Sequence, residues 1–182
     1  MATEPGPRAA ARWLVLGAYV AAVYAFLPYG PALGRALAGS APGAWLLGPG
    51  IIVLAVAGAL GLLLMLRRNG APGWAYGTLA GASVTYVVAF SWLRSRHLER
   101  THLPEYGIAA WLAWRAVHPL VPGALAGYGA AALLGAAIGY CDELLQLVVP
   151  GRVYDPRDIA MNALGAMLGV VVLAAVRARR ES

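Results

Sequence analysis

Residues 13–29, 45–66 and 74–93 run for 17, 22 and 20 positions without one Asp, Glu, Lys, Arg or His, and 159–176 repeats the pattern. A bilayer core of ~30 Å is crossed by about 20 apolar residues in a helix. Inside it the backbone must satisfy its own hydrogen bonds, so such runs are helical. With 60% of residues hydrophobic and 12% charged, the composition lies outside the soluble globular range. The chain is therefore an integral membrane protein. Pro28 and its bulky neighbours offer no small-residue cleavage pattern after the first run, which is expected to remain as an anchor and not to leave as a signal peptide.

Six helices account for the rest of the pattern. Their breaks fall at Pro28 to Gly43, Arg67 to Gly73, Arg94 to Thr101, Pro119 to Pro122 and Pro150 to Pro156, each marked by Gly, Pro or Arg. The expected fold is an all-α, polytopic transmembrane bundle. The fourth helix, His102 to Val117, has only 16 residues, about 24 Å long. The fifth, Gly123 to Val149, has 27, so its last turns should reach an interface.

All 14 basic residues are Arg, and the pI is near 9.9. In a soluble chain that balance would suggest nucleic acid. Here the arginines flank apolar segments, which points to topology and anionic lipid head groups. With the N-terminus inside, Arg8, Arg12, Arg67, Arg68, Arg115, Arg177, Arg179 and Arg180 are cytoplasmic, eight against the six at Arg35, Arg94, Arg96, Arg100, Arg152 and Arg157. The count favours an N-in, C-in arrangement, and the basic flanks at both termini agree with an even number of spans. The lone Cys141 excludes an internal disulfide and a cysteine-built metal site. Abundant Ala and Gly with no Lys suggests a GC-rich bacterial genome.

Against this background the polar residues are concentrated. Of eight carboxylates, five are Glu105, Asp142, Glu143, Asp155 and Asp158, beside or within apolar segments, while Glu4, Glu99 and Glu181 lie near the termini or in a charged connection. Ionisable groups at membrane depth are costly and mark functional sites. If helices four to six all span, the start of the fourth, the end of the fifth and the start of the sixth share one face. His102, Glu105, Tyr106, Asp142, Glu143, Gln146, Arg152, Asp155, Asp158 and Asn162 then converge, on the extracytoplasmic side in the favoured orientation.

Asp142 and Gln146 share a helical face, with Glu143 about 100° round from Asp142. Two adjacent acids at a helix C-terminus oppose its dipole and repel one another. Arg152 or a divalent cation would compensate them, and a solvated helix end is the bland alternative. Asp155, Pro156 and Asp158 read as N-cap, first helical residue and capping-box acid. Asn162 lies one turn inside from Asp158, where a buried amide bonds across helices or touches a ligand. Gly165 and Gly169 form a GxxxG suited to close helix packing. His102 sits one turn before Glu105 and Tyr106, and with carboxylates from other helices it supplies a metal ligand or a proton carrier. His97 and His118 read as loop or interfacial residues. Trp13, Trp45, Trp74, Trp92, Trp111 and Trp114 fall mostly near predicted helix ends, as aromatic-belt anchors do.

His102-x-x-Glu105-Tyr106, Asp142-Glu143-x-x-Gln146, Pro150-Gly151-Arg152 and Asp155-x-x-Asp158-x-x-x-Asn162-x-x-Gly165 together resemble the VanZ-like family. The resemblance covers roughly residues 80–177 and leaves 1–79, the first two helices and the start of the third, outside a VanZ-like transmembrane domain, with 178–182 as a basic tail. Asp142, Glu143, Gln146, Arg152, Asp158 and Asn162 match the pattern position by position, whereas Glu105 occupies a variable place. The resemblance implies a multi-pass protein of the bacterial cytoplasmic membrane, in a family named for low-level tolerance of teicoplanin, without a settled activity. Three functions stay open. One is a binding site for an envelope lipid-linked precursor or a glycopeptide. Another is an enzyme in which Glu143, Asp142 and His102 are catalytic or hold a divalent cation, while Arg152, Asn162, Gln146, Asp158 and Tyr106 bind substrate. The last is a purely structural polar network.

Overall fold

The computed structural model describes residues 6–92 and 101–178. Glu4, Arg94, Arg96, His97, Glu99, Arg100, Arg179, Arg180 and Glu181 lie outside the described residues. The described chain is all-α: α1 (Pro7–Phe26), α2 (Gly30–Ala38), α3 (Ala41–Trp45), α4 (Ile51–Arg68), α5 (Gly73–Trp92), α6 (His102–Val117), α7 (Ala124–Gln146) and α8 (Pro156–Arg177). Four stretches among the described residues are long and apolar enough to cross a membrane: Pro7–Ala38, Ile51–Arg68, Ala124–Gln146 and Pro156–Arg177. Exposed Leu, Ile and Val side chains dominate their surfaces, including Leu54, Leu60, Leu125 and Leu133, as a lipid solvent permits.

Three boundaries depart from the expectation. The break placed at Pro28 to Gly43 is largely helical. Pro28 sits in a 3-10 turn at Leu27–Tyr29, and Pro31 falls in the first turn of α2, where a missing N–H costs nothing. The interruption is confined to Gly39 and Ser40, and Ser40 caps α3 by accepting from the Gly43 N–H at 3.1 Å. The second departure is at the run starting at Trp45, whose regular helix begins only at Ile51. Pro49 lacks a donor, and the chain passes it as a π turn over Leu46–Gly50. Lastly, α7 ends at Gln146 and not at Val149. Leu147 and Val148 turn back on Leu144 and Leu145 through N–H···O bonds of 3.2 and 3.0 Å.

The chain divides into two compact units, one of residues up to 28 with 102–170, the other of 29–101 with the residues from 171 on. In the second unit, α4 ends in a Schellman motif. The Gly70 N–H bonds to Arg67 O at 3.2 Å and the Ala71 N–H to Leu66 O at 3.0 Å, with Gly70 at φ 60°. Leu66 and Ala71 join Ala75, Leu79 and Ala175 in a buried cluster. Arg67 and Arg68 complement the dipole of that helix end.

In the first unit small residues set the helix spacing. A Cβ on Gly165 would stand 2.5 Å from Leu103 O, and one on Gly169 2.5 Å from Gly107 O. The GxxxG face of α8 therefore lies directly on the backbone of α6, as that motif allows. On α7, a Cβ at Gly139 would meet Asn162 Cβ at 2.5 Å. Helix α1 adds two long-range bonds: Tyr19 Oη donates to Glu105 O at 3.0 Å, and Tyr24 Oη to Ile138 O at 2.7 Å. Trp114 corrects the aromatic-belt expectation. It is buried, stacked on His118 at 3.9 Å and on Tyr128 at 6.0 Å, while Trp13, Trp45, Trp74, Trp92 and Trp111 are exposed.

Candidate metal and ligand site

The first turn of α6, the last turns of α7 and the second turn of α8 meet inside the first unit. Each helix is placed there by a local signal. Pro104 is tolerated in the first turn of α6. Gly139 and Gly165 let the helices close. Asp155 caps α8, accepting from the Arg157 N–H at 2.9 Å. The result is a buried polar cluster of His102, Asp142, Glu143, Gln146, Asp158 and Asn162, with Glu143 and Asn162 both at 0% exposure.

Hydrogen bonds order the cluster. The Asn162 Nδ2 donates to the carbonyl of Gly139 at 2.9 Å. A carbonyl only accepts, so the amide orientation is set and Asn162 Oδ1 faces His102 Nδ1 at 2.8 Å. That nitrogen must then carry the proton, which leaves the Nε2 lone pair of a neutral His102 for another partner. Gln146 Nε2 spends both its protons on the acids, donating to Asp142 Oδ2 at 3.1 Å and to Glu143 Oε1 at 2.7 Å. The Asp155 N–H donates to Glu143 Oε2 at 3.3 Å, tying the α8 cap to the end of α7.

One donor atom each from His102, Asp142 and Glu143 lie within 4.8 Å of one another. A nitrogen and two carboxylate oxygens suit a borderline or hard divalent ion such as zinc or manganese, with coordination positions left open. The residues fit that role on a further count. Asp142 Oδ1 is buried with no hydrogen-bond partner, a costly state unless something binds it. The expected compensation by Arg152 is not what is found: among the described residues Arg152 makes no ion pair with Asp142 or Glu143, its Nε is buried without a hydrogen-bond partner, and its charged neighbour is Glu105. Asp158 is buried within electrostatic reach of Glu143.

The Tyr106 ring stacks with His102 at 6.0 Å. Its hydroxyl lies beside Asp142 but outside hydrogen-bonding geometry, and it has no partner either. Tyr24 was not among the sequence candidates. Its hydroxyl bonds in the turn of α7 that precedes Asp142 and lies within electrostatic reach of Asp142. Its sequence signal is a pair of tyrosines, Tyr19 and Tyr24, in the charge-free part of α1, which aromatic-belt placement explains equally well. His118 stays out of the cluster, its Nδ1 2.9 Å from Trp114 O.

A family model described as VanZ/LLP1 matches residues 20–177, a range that contains every member of the cluster. Comparison with curated proteins and with solved structures finds no match.

Proposed function

We propose, since the chain belongs to the VanZ/LLP1 family, that it is a receptor at the bacterial cell envelope whose ligand site is built on a divalent cation held by His102, Asp142 and Glu143. In this reading six helices span the cytoplasmic membrane with both termini inside, and the site faces outward. The ligand is a phosphorylated or glycosylated lipid-linked envelope precursor, or a glycopeptide such as teicoplanin. The observation that carries the reading is the pair of adjacent buried acids beside a His nitrogen, where the hydrogen bonds the pair receives come from neutral amides. A dicarboxylate buried in this way needs positive charge.

Roles follow from contacts. Gln146 holds both carboxylates in one orientation, and Asn162 presents His102 through Nε2, as outer partners of metal ligands do. Arg152, half-buried with an unused Nε, offers a planar fork to a phosphate or carboxylate of the ligand. Tyr106 supplies a hydrogen-bond donor, and Asp158 keeps the rim of the site acidic. A bound cation would supply charge to anchor an anionic or hydroxyl-rich head group.

The test is metal analysis and calorimetric titration of the purified full chain with Mn²⁺ and Zn²⁺. Wild type should bind one equivalent, and Glu143→Gln or Asp142→Asn should reduce affinity by a hundredfold or more, on the order of 3 kcal/mol. Equal binding by wild type and both variants would remove the cation. In a teicoplanin-sensitive Gram-positive host, protection by wild type that disappears with Glu143→Gln at matched membrane levels supports the envelope setting.

One observation favours an enzymatic variant of this reading. Tyr106 lies beside the cation ligand Asp142, and its buried Oη meets no acceptor in good hydrogen-bonding geometry, which leaves a proton donor for metal-assisted hydrolysis or transfer. Incubation with a lipid-linked precursor distinguishes the two. Recovery of unchanged ligand supports binding, and a cleaved head group supports catalysis.

A further inference from the structure

We propose that the opposite end of the α1 and α6 pair is a binding groove for a diacyl anionic phospholipid, separate from the carboxylate cluster. Arg8, Arg12 and Arg115 line a cavity of about 300 Å³ together with Ala11, Val15 and Leu112. Arg8 and Arg12 lie in the first two turns of α1, where positive charge opposes the helix dipole, and no acid occupies the first turn. Arg115 reaches the same cavity from a helix about a hundred residues away in the chain. Its guanidinium is held 5.2 Å over the Trp111 ring. Among the described residues the lining contains no carboxylate, so three guanidinium groups converge there without an acid from α1 or α6 beside them.

Charge complementarity selects a phosphate, which arginine forks bind in bidentate fashion. The apolar half of the lining selects a lipid over a free phosphate. Val15 and Leu112 lie one turn deeper along α1 and α6 than Arg12 and Arg115 respectively, and Val15 is exposed. A glycerol backbone and the first acyl carbons would continue along that surface toward the bilayer core. Basic pockets between spanning helices bind anionic head groups in this way, and the volume sits at the small end of ligand pockets, roughly 300–1,000 Å³. Arg115 and His102 are thirteen positions apart on α6, about 20 Å along the axis. The groove and the cluster therefore occupy different leaflets and can be tested independently.

The experiment is lipid titration of the purified full chain in neutral detergent, read by native mass spectrometry, with dioleoyl phosphatidylglycerol against dioleoyl phosphatidylcholine. Wild type should retain the anionic lipid with roughly tenfold or greater preference. Arg12→Gln with Arg115→Gln should abolish that preference, while Arg67→Gln with Arg68→Gln, a basic pair outside the lining, should leave it unchanged. Val15→Trp, at an exposed position, keeps all three arginines but fills the apolar floor, and it should weaken phosphatidylglycerol retention by a similar factor. Equal retention of the two lipids by wild type, equal losses in both arginine pairs, or full retention by Val15→Trp with displacement by soluble glycerol phosphate would each overturn the proposal.

Discussion

At the residue scale the most consequential group is Asn162, whose amide is committed at both ends, to Gly139 O and to His102 Nδ1. The sequence singled it out as a buried amide with two fates, a bond across helices or a ligand contact, and the structure shows the first. That position makes it a positioning residue. Asn162→Ala should lower cation affinity by about 10–100-fold without removing a ligand, and Asn162→Asp should recover part of the loss because an acceptor for His102 remains. Calorimetry with Mn²⁺ on matched folded samples checks both. Tyr24→Phe removes one hydroxyl bond to Ile138 O and should cost about 0.5–1.5 kcal/mol, seen as a lower unfolding midpoint. His102, Asp142, Glu143, Gln146 and Asn162 were legible because polar groups are so rare in this chain. Tyr24 was not, since a tyrosine on a membrane helix has an ordinary interfacial explanation until its partner is seen.

At the element scale, α8 carries both a start signal and a packing signal, and both operate. Asp155→Ala should destabilise by about 0.5–2 kcal/mol through loss of the cap to the Arg157 N–H. The bond from the residue 155 N–H to Glu143 survives that substitution, being a backbone donor, so cation affinity should fall less than stability. Gly169→Val should be the more damaging change, because its Cβ would stand 2.5 Å from Gly107 O and 2.6 Å from Gly107 Cα. Backbone cannot yield as a side-chain end does, and overpacking of about 1–3 kcal/mol or more follows. A thermal unfolding series of the two variants, with cation titration beside it, separates a cap from a packing face. Prolines are weak markers of element boundaries in this chain. The stretch from Pro28 to Gly43 reads as a break, yet 3-10 geometry absorbs Pro28 and the first turn of α2 absorbs Pro31.

At the scale of the whole molecule, the proposed orientation has a direct consequence for accessibility. In a Cys141→Ala background, Val153→Cys in the α7–α8 connection should react with a membrane-impermeant maleimide in intact cells. Leu120→Cys in the α6–α7 connection should react only after permeabilisation, since the two connections cap opposite ends of α7. Both native side chains are well exposed, at 80% and 64%, so burial does not confound the comparison, and the reverse pattern would invert the assigned orientation. Charge-free runs by themselves determined that the chain is helical and membrane-embedded, because hydrocarbon tolerates no unsatisfied backbone. The order of polar motifs also determined which residues gather at one face, because antiparallel helices joined by short connections bring those ends together. Tertiary structure alone decided that Arg152 makes no ion pair with the paired acids, that Asn162 sets the His102 tautomer, and that Asp142 Oδ1 stays without a partner, because these depend on distances of a few tenths of an ångström between helices, which no periodicity encodes.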